Sequence, residues 1–218
     1  MVMDAHVADA QQREAIYKQI LGPRCRSLKK MASPYYNKFI IISVGHFGHT
    51  NQGLKFAEKY WGGMIREGAP TFWKAYDNSW PKKHFHRFLK ADNGEGYFVS
   101  LCHGWPSDVT SWLTEYVLGV EPKTGGFAKT IIVPHLSNLS RASGRVPTPH
   151  GDIVISVKAK QGADSIRLTL PVGVDTLVGV PGRSVTANGQ TVTPARRSNK
   201  RCYIKHNHTG VFNIYGHA

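Results

Sequence analysis

The sequence lacks a long apolar run. Its richest stretch, Phe39-Ile40-Ile41-Ile42-Ser43-Val44, falls well short of the about 20 apolar residues that a bilayer-crossing helix needs, so no membrane partner is expected. Cysteine is scarce. Cys25, Cys102 and Cys202 lie far apart and fit neither a paired-disulfide framework nor a zinc pattern. Residues Met1 to Arg13 lack the basic head and apolar stretch of a signal peptide. The default expectation is therefore a reduced, cytoplasmic chain, or an exported one if the amino terminus is truncated. Acid is the other shortage, with 14 Asp and Glu against 28 Lys and Arg and a formal charge of +14. Beyond Gly125 the only carboxylates are Asp152, Asp164 and Asp175. There is no internal repeat, no glycine-rich phosphate loop and no aromatic-basic signature of a nucleic-acid module. Specific nucleic-acid binding is therefore not expected.

What is present is enough for a buried core: 41% hydrophobic and 11% aromatic residues in a chain of 218, long enough for one large domain or two small ones. The apolar period changes partway along. Up to about Glu121 it is helical. Pro34 to Phe47 is apolar on most sides, Gly48 is placed to end that helix, and Thr50 can cap the next, with Leu54, Ala57, Trp61 and Ile65 on one stripe. Ser107 can cap a third helix, with Asp108 in its first turn, Val109, Trp112, Leu113, Tyr116 and Val117 on one face, and Gly119 closing it. Past Pro122 the period becomes two. Strands are predicted at 130–133, 153–157, 165–170, 176–180, 202–204 and 211–215, broken by turns at Pro149-His150-Gly151, Pro181-Gly182 and Asn188-Gly189. Short strands at this spacing indicate an antiparallel β-sandwich. The boundary falls at Lys123-Thr124-Gly125-Gly126, giving a helical part over 1–122 and a sandwich over 127–218. The densest basic run, Arg196-Arg197-Ser198-Asn199-Lys200-Arg201, lies between strands. It reads either as a solvated hairpin loop or as an electrostatic contact site.

Two motifs carry the chemistry. Thr71-Phe72-Trp73-Lys74 follows Tyr60-Trp61-Gly62-Gly63-Met64 and Gly68-Ala69-Pro70, and Ser100-Leu101-Cys102-His103-Gly104-Trp105 comes about thirty residues later. Ser33 to Asn37, Phe85 to Leu89, Ala91 to Gly94, Glu115 to Val120, Val146 to Gly151 and Val185 to Gly189 add further segments in the same order. Together they resemble the α-L-rhamnosidases of glycoside hydrolase family 78. The resemblance implies an α + β multi-domain chain: the last helices of a six-hairpin (α/α)6 barrel over 1–122, followed by the carboxy-terminal sandwich. It implies a rhamnosylated carbohydrate or glycoside as partner; no cofactor and no metal are expected. It also implies that most of the barrel, including the general acid, lies outside these residues, and that barrel faces left uncovered could self-associate.

The family resemblance implies that the residue after the Thr-Phe-Trp triplet is a catalytic base, normally glutamate. Here that residue is Lys74. Inverting glycoside hydrolysis needs two carboxyl groups about 6.5–9.5 Å apart, and an ammonium has no lone pair with which to take a proton. Either hydrolysis has been lost, or Asp77 or Glu95 approaches the site instead. His103 matches a family histidine that contacts the sugar, though a histidine bonded within its own loop would fit equally well. Trp73 and Trp105 could offer flat faces to a sugar ring or belong to the core. His84 and His86 have strand spacing for a metal pair but no third ligand in view. The expectation is a carboxy-terminal part or diverged copy of an inverting rhamnosidase, inactive as it stands. Alternatives are a non-catalytic carbohydrate-binding remnant or a basic interaction module.

Overall fold

A computed structural model describes residues 8–21, 33–77, 100–160, 163–198, 200–206 and 209–217. They form two compact units, which meet in the chain between Trp112 and Leu113.

In the first unit, helix α1 (Ala10–Ile16) opens with a capping box. The Asp9 carboxylate accepts the Gln12 N–H at 2.8 Å, and the Gln12 side chain accepts the Asp9 N–H at 3.0 Å. Helix α2 (Pro34–His46) begins on a proline, whose missing N–H costs nothing at the first helical position. Gly48, with φ +74°, follows its end. Helix α3 (Thr50–Arg66) does not use Thr50 as its cap. His49 holds the N-cap, its carbonyl taking the N–H groups of Gln52 and Gly53 at 2.9 and 3.1 Å, and Thr50 is buried as the first helical residue. The buried face of α3 is also rotated from the expected stripe. It carries Gly53, Ala57, Tyr60, Trp61 and Met64, while Ile65 is 70% exposed. Two adjacent aromatics bury more apolar area than one isoleucine, and they set the helix's rotation.

A 3-10 turn (Trp105–Ser107) leads into helix α4 (Asp108–Trp112). Ser107 sits inside that turn and donates to the Gly104 carbonyl at 2.7 Å instead of capping. The Trp61 indole N–H donates to the Pro106 carbonyl at 2.9 Å, and Lys38 pairs with Asp108 at 3.4 Å, tying α3 and α2 to this turn. Gly53 gives α3 a flat place on which the buried Trp112 indole lies.

The second unit starts with a π turn (Leu113–Val117), where the Leu118 N–H reaches the Leu113 carbonyl at 3.0 Å. Gly119 then leaves it at φ +71°. Eleven strands follow among the described residues: β1 (Val120–Pro122), β2 (Lys129–Ile132), β3 (Arg141–Thr148), β4 (Gly151–Lys160), β5 (Ala163–Leu170), β6 (Asp175–Pro181), β7 (Ser184–Ala187), β8 (Gln190–Thr191), β9 (Arg196–Ser198), β10 (Arg201–His206) and β11 (Gly210–His217). They form two open sheets, β1-β2-β6-β10-β9 and β3-β4-β5-β11-β7-β8. Every pairing is antiparallel except β2 with β6, which run parallel with Lys129 opposite Asp175 and Ile132 opposite Val178. The core is the period-two face of both sheets. Ile153, Ile155, Val157, Ile166 and Leu168 from one sheet bury with Ile132, Val178, Val180, Cys202 and Ile204 from the other. Because β1 pairs with β2, the second unit begins ahead of the Lys123–Gly126 break in composition.

The basic run forms the β9–β10 hairpin, with Lys200 at φ +60° in its turn. Its arginines have structural partners. Arg201 donates to the carbonyls of Pro134 at 3.0 Å and Gly179 at 3.3 Å, and Arg197 donates to the Arg183 carbonyl. Arg196 lies over the Tyr203 ring at 4.3 Å. That ring is buried against Gly179, its cross-strand partner, where a Cβ would come within 2.7 Å of it.

Candidate functional site

The two sequence motifs of the first unit are brought together by backbone pairing. The Lys74 N–H donates to the Ser100 carbonyl, and the His103 N–H donates to the Phe72 carbonyl, each at 2.9 Å. The Thr71 hydroxyl donates to the Leu101 carbonyl. The threonine thus anchors a short ladder from which residues 73 and 103 are displayed.

The two tryptophans part company on it. Trp73 is 4% exposed and packs with Tyr76 at 6.1 Å, in an aromatic cluster that continues through Tyr60, Trp61 and Phe56. Burial drives the Tyr60 hydroxyl well above the usual phenol range, and the carboxylate of Asp77 adds to the shift. Trp73 is therefore part of the core, with no free face to offer a sugar. Trp105 is 54% exposed. Its ring stands edge-on to His103 at 4.8 Å and leans against Tyr35 at 5.0 Å, with Tyr36 half-exposed beside Tyr35. His103 is half-buried, and its Nε2 is shielded from solvent with no hydrogen-bond partner among the described residues. A buried imidazole nitrogen without a partner is costly, and here it sits beside an exposed indole. Lys74 is exposed. Glu115 is exposed as well, in the second unit's π turn. Glu95, His84 and His86 lie outside the described residues. Among those described, no three His, Cys, Asp or Glu side chains gather as metal ligands, and no helix is long and apolar enough to cross a membrane. The tyrosines beside Trp105 were missed from the sequence. Their only signal was two aromatics at the start of α2, which look the same whether buried or exposed.

A family model described as the bacterial α-L-rhamnosidase C-terminal domain matches residues 119–193. An α-L-rhamnosidase from Alteromonas sp. (strain LOR) is 34% identical over 124 residues, covering 56% of this chain and 13% of the relative. The chain is similar to the α-L-rhamnosidases of glycoside hydrolase family 78, and residues 119–193 match their C-terminal domain. The fold agrees with solved members. The α-L-rhamnosidase from Dictyoglumus thermophilum superposes with a TM-score of 0.67 at 22% identity, over 85% of this chain and 21% of that one. The Streptomyces avermitilis enzyme, solved in complex with L-rhamnose, gives 0.68 at 17% identity, over 82% and 17%. The helices followed by two open sheets thus match a partial barrel plus β-sandwich. The family model falls wholly within the second unit. This rhamnosidase-related chain spans about a fifth or less of the length of these relatives.

Proposed function

We propose that this rhamnosidase-related chain binds rhamnosyl groups at His103 and Trp105 without hydrolysing them. The observation that carries the reading is the shielded, unpartnered His103 Nε2 beside the open face of Trp105. An imidazole nitrogen can give or take a hydrogen bond with a sugar hydroxyl, and an exposed indole supplies a flat apolar wall for the ring's C–H face. The bound L-rhamnose of the Streptomyces relative supports the choice of sugar. Lys74 supports the absence of turnover, because an exposed ammonium cannot act as the general base that inversion requires.

Titration of the full chain with L-rhamnose, followed by protein-observed NMR, tests the binding. Shifts should concentrate on His103 and Trp105, vanish in His103→Ala and weaken in Trp105→Ala. Incubation with an aryl α-L-rhamnoside should give background hydrolysis, and Lys74→Glu should not raise it, because one carboxylate supplies only half of the acid–base pair. A second reading, an inverting rhamnosidase-type hydrolase, is favoured by the 34% identity to the Alteromonas enzyme. Turnover by the purified chain that is lost on Asp77→Asn would establish that reading and refute ours.

A further inference from the structure

The solvent face of the second unit's larger sheet has a chemistry of its own. Along β3, β4, β5 and β11 the inward side chains Val146, Ile153, Ile155, Ile166, Leu168, Phe212 and Ile214 are buried, so the intervening positions share the outer face. The strand registers arrange that face in three rows. One runs Arg141, Lys158, Ser165, Tyr215; the next runs Ser143, Ser156, Arg167, Asn213; the third runs Arg145, Val154, Thr169, Val211. Arg141 stands directly opposite Lys158, and Arg167 is diagonal to Lys158 across β4 and β5. Opposed side chains lie about 4.5–5.5 Å apart at Cβ and diagonal ones about 7–8 Å, and like charges placed directly opposite destabilise a sheet. All three cations are exposed, and none has a carboxylate partner among the described residues. The neighbouring acid, Asp152, is taken by Arg145 at 2.8 Å.

We propose that this face binds an acidic polysaccharide, one whose repeating sugars carry carboxylate or sulfate groups. Each row answers one part of such a ligand. The Arg141–Lys158–Arg167 cluster meets the anionic groups, and bound anions relieve its self-repulsion. Ser143, Ser156, Ser165 and Asn213 meet ring hydroxyls. The exposed Val154 and Val211, flanking Thr169, meet the apolar C–H faces. Single-stranded nucleic acid is recognised chiefly by stacking on aromatic platforms, and these three rows offer one half-buried tyrosine. The surface belongs to the second unit and His103 and Trp105 to the first, so it adds a polymer contact to the sugar contact proposed above, and the two stand or fall independently.

Polygalacturonate is the probe, with the full chain titrated in isothermal calorimetry at low salt. The expected result is binding that weakens steeply between about 20 and 200 mM NaCl as screening grows. Lys158→Gln/Arg167→Gln should weaken it about tenfold or more, since two charge-assisted contacts are lost. Arg183→Gln/Lys200→Gln removes the same charge elsewhere on the unit, both residues being exposed, and should leave the affinity nearly unchanged. The Lys158→Gln/Arg167→Gln protein should melt no lower than the parent, because it loses repulsion and no contact. No binding of polygalacturonate refutes the proposal, and so does equal weakening by the two double variants. Duplex DNA bound as tightly, with the same dependence on Lys158 and Arg167, would overturn it in favour of a general polyanion surface. Loss of rhamnose binding at His103, with the polygalacturonate result intact, would leave this surface standing alone.

Discussion

Replacing Gly53 with alanine should destabilise the first unit, although alanine is the better helix former. Gly53 lies within α3, where glycine costs about 0.5–1 kcal/mol relative to alanine, so propensity alone predicts a gain. The indole of Trp112 reverses the sign. A Cβ at 53 would fall inside contact distance of Trp112 Cζ2 and 2.7 Å from Cη2. Trp112 is 1% exposed and has no open side into which to swing. Overpacking of a well-filled core costs about 1–3 kcal/mol, and set against that propensity gain the net loss centres on about 1.2 kcal/mol. At about 4–8 °C per kcal/mol for a small domain, the helical transition should fall by about 5–10 °C. Thermal melting followed at 222 nm and by near-ultraviolet circular dichroism of the tryptophans reads both the shift and its location. A double-mutant cycle sharpens the test: in a Trp112→Leu background, with the indole gone, Gly53→Ala should become neutral or stabilising, giving a coupling of opposite sign to the single effect. If Gly53→Ala melts at or above the parent temperature, or the two changes prove additive, the close packing of Trp112 on α3 is wrong.

Other outcomes follow from the sandwich. Tyr203→Ala should cost about 3–5 kcal/mol in chemical denaturation, as for other large-to-small changes in a core, because it strips the ring from Gly179 and the platform from Arg196. Gly119→Ala should lower the melting temperature of the second unit, since that residue sits at φ +71° and a Cβ would strike the Val133 carbonyl. Desolvation, with the Arg201 guanidinium 3.4 Å away, pushes the His135 imidazole down to about 4. The unfolded chain, with a histidine near 6.5, therefore binds the proton first. Stability should be fully present above about 6.5 and fall as the pH drops toward 4; the residue is exposed overall, which keeps the effect small. His135→Asn should flatten that part of the pH–melting curve. Expressed alone, residues 113–218 should fold to a β-type spectrum, whereas 127–218 should melt at a lower temperature, having lost β1 and the buried Val120.

The strands were legible where one face is buried and the other is not. Ile153, Ile155 and Val157 alternate with solvent-facing residues, and that period alone is enough to mark β4 as a strand. Strand β3 gave no such signal. As an edge strand it buries Val146 alone and carries Gly144 and Pro147, so nothing in its composition separates it from a loop. The parallel partnership of β2 and β6 was equally hidden, because alternation records which face is buried and is silent on which strand lies alongside. At the candidate site the sequence singled out the two motifs, yet their meeting through Phe72 and His103 depends on backbone hydrogen bonds that any side chains could make. The contrast between Trp73 and Trp105 is only faint in the sequence, where Trp73 follows Phe72 and Trp105 follows Gly104. The aromatic cluster around Tyr60 is what takes Trp73 inside.

The parallel pairing also dictates an order of assembly. The hairpin of β1 and β2 can form as soon as it is made, but its inner edge finds no partner until β6 has emerged, after β3, β4 and β5. At about 5–20 residues per second, β2 waits for seconds with a row of unpaired peptide groups facing outward. Meanwhile the local hairpins β3-β4 and β4-β5 have only short loops to close. They are placed to form first and to offer the surface on which the other sheet is completed. A newborn chain is therefore most open to mispairing with a neighbour during that interval, at the edge of β2.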